Sequence, residues 1–168
     1  MLKYCKYAVI CLFCIMVMAV AAWQQKVPIL QKAADYGLAR AQFYLGALYE
    51  IGAGVPKDEA KAVQWWQKAA EQGHAKAQVN LGEVYFIGRV VPQDVAKAAQ
   101  WFQKAADQGH AEGQFLLGMA YLRGLGVIHD QQRGCELLRA STAQGKKKIS
   151  KRYNELYNAL YNGWCVEE

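Results

Sequence analysis

The amino-acid sequence predicts an all-α chain folded as an α-solenoid, a right-handed superhelix of helix-turn-helix repeats. The first observation is a period of 36 residues, because residues 37–72 match residues 73–108 at about 22 of those positions. The second is that a glycine and an aspartate recur at this period, at Gly37, Gly73, Gly109 and Gly145 and at Asp58, Asp94 and Asp130. The third is a helical spacing of apolar residues inside each period. Such repeats bury their apolar faces only by stacking, so the function has to be sought in an array.

Composition supports one compact body. The 168 residues are 54% hydrophobic and 20% charged, and they include 3 prolines. These proportions are typical of a globular chain without a large disordered part.

Residues 1–22 have the layout of a secretory signal peptide. Two lysines precede an apolar run over residues 7–23, and small residues near its end suit cleavage after Ala21 or Ala22. The run is also just long enough to serve as an uncleaved anchor. We therefore expect an exported protein, periplasmic or secreted, with an inner-membrane anchor facing the periplasm as the alternative.

Each period predicts two helices. Helix A extends from Ala39 to Ile51 in the first repeat, with its core face at Ala41, Leu45, Leu48, Tyr49 and Gly52. Gly52, Gly54 and Pro56 end it, and Asp58 caps helix B, which runs over about residues 59–72. Helix B is expected to bury one face per repeat, at Ala62, Trp65, Trp66 and Ala69, at Ala98, Trp101, Phe102 and Ala105, and at Gly134, Leu137, Leu138 and Ser141.

Glycine recurs in the middle of helix A, where it costs about 1 kcal/mol relative to alanine. The positions are Gly46, Gly82 and Gly118. Close approach of two backbones is the best compensation, so we expect helix A to touch helix B at its small residues, Ala62, Ala98 and Gly134.

The stretch AEQGHAKAQVNLGEVYFIGRVVPQDVAKAAQWFQKAA resembles a Sel-one-like repeat, and residues 33–145 fit that pattern three times. The resemblance implies a tetratricopeptide-like α-solenoid that serves as a protein-binding adaptor and is often exported in bacteria. The third repeat departs from the pattern at Leu137 and at Ile128 and His129, and we expect it to drift towards a cap. With both ends included, the predicted organisation is a half-repeat over 23–36, three repeats over 37–145 and a basic capping helix over 146–168.

Beyond residue 22 the chain has two cysteines, Cys135 and Cys165. In an oxidising compartment they could form a disulfide, and the alternative is two separate buried thiols.

No arrangement of residues in the sequence predicts a catalytic site or a metal site. His74 and His110 lie one repeat apart in equivalent first-turn positions and His129 lies in a turn, so no pair has ligand spacing. The three repeated aspartates have capping roles, and no serine or cysteine nucleophile accompanies a recurring base. We expect no catalytic residue, no metal, no cofactor and no nucleic-acid partner, and therefore no enzyme.

The net charge of +6 is concentrated near the end of the chain. The basic residues there are Lys146, Lys147, Lys148, Lys151 and Arg152. They would attract an anionic membrane surface weakly or serve as a solvated cap. An uncleaved N-terminal helix together with this tail gives the alternative function, a membrane-associated accessory subunit.

A second stripe on helix A, beside the core face, changes character from repeat to repeat. It predicts a concave groove for an extended or helical peptide, with apolar anchors at Tyr44, Leu116 and Met119 and polar contacts at Asn80 and Glu83. The predicted protein-binding residues are Tyr44, Ala47, Asn80, Glu83, Leu116 and Met119. The alternative is that this stripe packs on adjacent B helices.

Overall fold

The structure is a computed structural model that describes residues 27–143 and 163–165. Within these ranges it contains helices and turns and no strand. Helix α1 covers residues 27–35, and the following helices are α2 Ala39–Ile51, α3 Glu59–Glu71, α4 Ala75–Ile87, α5 Val95–Asp107, α6 Ala111–Arg123 and α7 Gln131–Ala143. The predicted signal peptide, the basic residues between 146 and 152 and most of the predicted capping helix lie outside the described residues.

The helices pack in chain order as a solenoid, which confirms the predicted fold class. Helices α2, α4 and α6 are the A helices, and α1, α3, α5 and α7 take the B positions. Each A helix from α4 onwards packs against the B helix before it and the one after it, and α4 also touches α6. The predicted bounds of helix A are confirmed, and helix B ends one residue earlier than predicted, at Glu71. None of the helices in the described part of the chain is long and apolar enough to cross a membrane.

The predicted aspartate caps are confirmed in all three repeats. Oδ1 of Asp58 accepts a hydrogen bond from the backbone N–H of Lys61 at 2.9 Å, which holds the pKa of that carboxyl below its usual value. The equivalent bonds at Asp94 and Asp130 measure 2.8 and 2.9 Å. Each cap satisfies a backbone donor that the first helical turn would otherwise leave without a partner.

The A and B helices meet at the mid-helix glycines, as predicted. A Cβ atom at Gly46 would lie 2.6 Å from the Trp66 ring and 3.0 Å from the carbonyl oxygen of Ala62. A Cβ at Gly82 would overlap the ring of Phe102. At the third crossing, a Cβ at Gly118 would lie 3.0 Å from the carbonyl oxygen of Gly134. A larger side chain would therefore require the ring to move at Gly46 and Gly82, and a smaller adjustment of helix B at Gly118.

The buried face of helix A is rotated by about one residue from the predicted one. Ala41 and Leu45 are buried as expected, but Leu48 and Tyr49 are only half-buried. The reason is that residues 42 and 46, on the adjacent edge, face the B helices. On the B helices the predicted faces are buried except at Trp65 and Leu137, which are partly exposed.

Two glutamines per repeat join successive helices, a feature that the sequence analysis missed. Nε2 of Gln42 donates to the carbonyl oxygen of Ala34 at 3.1 Å, and its Oε1 accepts from Gln72 at 2.7 Å. The same two bonds recur one repeat later, from Gln78 to Ala70 and from Gln108 to Gln78. Each buried amide therefore satisfies a carbonyl oxygen near the end of a B helix.

The described C-terminal segment, residues 163–165, closes the third repeat. Cys135 and Cys165 are joined in a disulfide, and the half-cystine of Cys165 is buried in the same apolar cluster as Phe115 and Leu138. Nε2 of Gln131 donates to the carbonyl oxygen of Trp164 at 2.8 Å. The pairing excludes the alternative of two separate thiols in this structure.

Replacing Trp101 by alanine should lower the free energy of unfolding by about 3 to 5 kcal/mol, because a central large-to-small change leaves a cavity. The Trp101 side chain is 6% exposed and packs with Trp66 and Leu81. Urea denaturation followed by circular dichroism measures the change, with the exposed neighbour Gln100→Ala as the control. A loss below about 1 kcal/mol would contradict the assignment of this ring to the core.

Candidate protein-binding groove

Three cavities repeat along the A helices, one at each junction between repeats. The residues of each cavity come from the second stripe of an A helix and from the B helix before it. The cavities beside α3 and α5 are also lined by the preceding A helix. We name them the N-terminal, central and C-terminal cavities. Because they occupy equivalent places in the array, together they form a groove that runs across α2, α4 and α6.

The N-terminal cavity lies between α1 and α2 and has a volume of about 440 Å³. Its walls are apolar, and they include Leu30, Tyr44, Ala47 and Ile51. The side chains of Tyr44 and Ile51 are 45% and 68% exposed. This cavity thus presents solvent-accessible apolar surface of the kind that marks contact sites in soluble proteins.

The central cavity lies among α2, α3 and α4, has a volume of about 360 Å³ and has walls that are partly polar and partly apolar. Glu50, Asn80 and Glu83 contribute to it, together with Arg89, whose guanidinium contacts the carboxylate of Glu59 at 3.1 Å. The carboxylates of this cavity lie in the C-terminal half of their A helices.

The C-terminal cavity, about 230 Å³, lies among α4, α5 and α6. Its walls are mainly apolar and include Phe86, Val95, Leu116 and Met119, with Glu83 at the border to the central cavity. Leu116 and Met119 are partly buried against the core of the third repeat. The groove is therefore apolar at its two ends and mixed in the middle, where its polar residues are concentrated.

The structure brings all six predicted binding residues to this groove. Two line the N-terminal cavity, Asn80 and Glu83 line the central one, and Leu116 and Met119 line the C-terminal one. The alternative, that the stripe packs on B helices, holds in part, because Leu116 and Met119 also contact the core. Phe86 and Leu125 also line the groove, and the sequence pattern did not predict them. Their equivalents in the repeat differ in type, so periodicity carries no signal for them.

Two cationic side chains, Arg40 and Lys76, and two histidines lie where the A helices begin. We call this the basic edge and define it as Arg40, His74, Lys76 and His110. The two histidines are N-caps, since Nδ1 of His74 accepts from the N–H of Ala77 at 3.2 Å and Nδ1 of His110 accepts from the N–H of Gly113 at 3.4 Å. These bonds require neutral imidazoles, because Nδ1 accepts a hydrogen bond only when it carries no proton.

The environment of the histidines favours the neutral form. Burial lowers the pKa of His74 below its usual value of 6.5, and the charges of Lys76 and Arg40 lower it further. Burial, then Lys76 and His74, lower the pKa of His110 in the same way. Lys76 therefore acts on both histidines, whereas Arg40 acts on His74.

The groove has the features of a noncovalent binding surface. Among residues 27–143 and 163–165, no group of three or more His, Cys, Asp or Glu side chains could hold a metal ion. The described surface has apolar cavities, hydrogen-bonding groups between them and a charged border. These features are usual in surfaces that recognise peptides.

The fold and the groove define a helical-repeat protein of the solenoid class. The family model described as Sel1 repeat matches residues 39–74, 75–110 and 111–146. The chain therefore belongs to the Sel1 repeat family, which confirms the resemblance in the sequence. Sel1 repeat proteins generally mediate protein–protein interactions and are typically non-catalytic.

Solved structures of bacterial proteins are similar to this chain. A Sel1 repeat protein from Oxalobacter formigenes is 34% identical with a TM-score of 0.70, over 78% of this chain and 98% of its own. The protective antigen c5321 of uropathogenic Escherichia coli, which has an SLR fold, is 35% identical with a TM-score of 0.71, over 82% of this chain and 29% of its own. Helicobacter pylori cysteine rich protein B shares the fold at 24% identity and a TM-score of 0.57, over 72% of this chain and 92% of its own. No curated protein sequence matches the chain significantly.

The histidine caps should make the array less stable in mild acid. Because the pKa values of His74 and His110 are lowered in the folded chain, the unfolded chain takes up protons first, so the free energy of unfolding should fall as the pH drops below about 6.5. The double variant His74→Asn with His110→Asn keeps capping side chains that do not titrate. Urea denaturation between pH 8 and pH 5, values chosen to bracket the usual histidine pKa of about 6.5, should show a smaller loss in this variant. Equal losses in the two proteins would contradict the account.

Proposed function

We propose that the protein is an exported scaffold or adaptor that binds a protein segment along the groove formed by α2, α4 and α6. The observation that carries the proposal is the series of three equivalent cavities, apolar at both ends and with polar residues added in the middle one. An extended or helical peptide with two apolar side chains separated by a polar stretch matches this series. Membership of a family that generally mediates protein–protein interactions supports the proposal.

The anchors of the partner enter the two apolar cavities. Tyr44 and Ala47 line the N-terminal cavity, and Leu116 and Met119 line the C-terminal one. Aromatic and methionine side chains that are partly exposed in apolar pockets contribute strongly to binding in many interfaces. Asn80 and Glu83 set the register of the partner through hydrogen bonds.

Export is the second part of the proposal. The two lysines followed by the apolar run over residues 7–23 favour secretion, and a disulfide between Cys135 and Cys165 is stable in an oxidising compartment. With residues 1–22 removed, the chain would act as a periplasmic or secreted adaptor and not as an anchored subunit. A mature N-terminus near Ala22 or Trp23, read by mass spectrometry of the exported fraction, separates these two forms.

The double variant Tyr44→Ala with Met119→Asp should weaken capture of a partner at least about tenfold, because it removes an anchor contact in each apolar cavity. Crosslinking pull-down from the exported fraction measures capture, and circular dichroism checks that helicity is unchanged. Since Met119 is partly buried, Tyr44→Ala with Met119→Ala gives a second, milder test.

The matched control is Gln64→Ala with Gln100→Asp, two exposed and equivalent positions on α3 and α5. This variant should capture as much partner as the wild-type protein. An unaltered yield in the folded groove variants, or an equal loss in the control, would overturn the assignment of the groove.

A further inference from the structure

The N-terminal cavity has one wall fewer than its equivalent at the other end of the groove. In the C-terminal cavity, Phe86 and Ile87 of the preceding A helix form part of the lining. Within the described ranges no A helix precedes α1, so the N-terminal cavity has walls from α1 and α2 alone. Its wall residues Ile29 and Ile51 are exposed. Apolar surface of this kind, uncovered by any described residue, marks a contact site.

The chain enters the described structure at this same cavity. Val27, the first residue of α1, belongs to the wall. Helix α5 begins four residues earlier in the period, at Val95, which corresponds to position 23 and lines the C-terminal cavity. Pro28 accounts for the later start of α1, because proline suits the first turn of a helix, where its missing N–H costs no helical bond. Residues 23–26 therefore correspond to a turn of helix that borders the cavity two repeats later.

Residues 23–26 read WQQK, so the large apolar side chain next to the cavity in sequence is Trp23. Four residues span at most about 14 Å when extended. The part of α2 that lines the cavity, from Tyr44 to Ile51, is about 10 Å long at the rise of an α-helix. Trp23 can therefore reach the cavity from Val27. Its side chain would bury about 150 to 250 Å² there, whereas the glutamines and the lysine beside it favour water.

We infer that in the exported protein the indole of Trp23 occupies the N-terminal cavity and takes the place that Phe86 and Ile87 have at the C-terminal one. The inference rests on the proposed function, in which residues 1–22 are removed and the anchor of a partner uses the same cavity. It adds a regulatory contact within the chain. The first anchor of the partner binds only when Trp23 has left, so the apparent affinity is reduced by the fraction of molecules whose cavity is empty.

Fluorine NMR of the exported protein labelled with 5-fluorotryptophan locates this side chain. The signal of Trp23 is assigned by its loss in Trp23→Phe. It should differ little between H₂O and D₂O, because a buried ring has no contact with water, and it should move in Ile51→Ala. The matched control is Ile87→Ala, an exposed equivalent position that lines the other two cavities, and it should leave the signal in place. A full solvent isotope shift, or equal responses to the two alanine variants, would overturn the inference.

Removal of the ring should open the cavity to a small apolar probe. Anilinonaphthalene sulfonate fluoresces on exposed apolar surface, and its fluorescence should be at least about threefold higher with Trp23→Ala than with the wild-type protein. Gln24→Ala should match the wild-type protein, and circular dichroism checks that helicity is kept in both variants. Equal dye fluorescence in the three proteins would contradict occupation of the cavity by Trp23.

These measurements fail separately from the proposed function. Partner capture by the variants at Tyr44 and Met119 tests the groove, and an unaltered yield there overturns the proposed function. A Trp23 signal that reports contact with water overturns this inference alone, because it does not depend on the identity of the partner.

Discussion

The close contact between helix A and helix B at a mid-helix glycine is the constraint on which the rest of the structure depends. At Gly46 and Gly82 an aromatic ring of the B helix occupies the space that a Cβ atom would need. At Gly118 the nearest atom is instead backbone, because a Cβ there would lie 3.0 Å from the carbonyl oxygen of Gly134, which takes the place of alanine on the B helix. Glycine inside a helix is less favourable than alanine by about 1 kcal/mol. The helix propensity of each A helix is therefore lower than it would be with alanine, and the close packing offsets this loss.

The groove is a consequence of that contact. Because the glycine face of each A helix is covered by B helices, the stripe that carries Tyr44, Asn80 and Leu116 is left at the border of the junction between repeats. The cavities there have the same position in every repeat, while their side chains differ. A repeated scaffold thus produces a surface whose chemistry changes along its length, as selective binding of one segment requires.

Sequence periodicity predicted the helices and their caps well, because those features depend on local chemistry. Asp58 and its equivalents illustrate this, since a capping aspartate, a preceding turn and a following apolar face are all local signals. The rotation of helix A about its axis was predicted less well. The apolar residues Leu48 and Tyr49 indicated one core face, but the face that is buried by tertiary packing lies about one residue away from it. The buried amides of Gln42 and Gln78 were overlooked, although glutamine recurs there in every repeat, because polar residues are usually assigned to the surface.

The site was predictable only in outline. A stripe that varies between repeats pointed to Tyr44 and Met119, but the cavities also depend on Phe86 and Leu125, whose positions follow from how α4, α5 and α6 pack.

The most direct measurement of the central claim is a double-mutant cycle at the second crossing, with unfolding free energies for Gly82→Ala, Phe102→Leu and the pair. If the ring of Phe102 excludes a Cβ atom, Gly82→Ala should lower the free energy of unfolding by about 1 to 3 kcal/mol in the wild-type chain. In the Phe102→Leu background it should cost much less or become stabilising, because the smaller side chain leaves room. If Gly82→Ala instead raises the free energy of unfolding by about 1 kcal/mol in both backgrounds, as helix propensity alone demands, the glycine contact does not hold the array together.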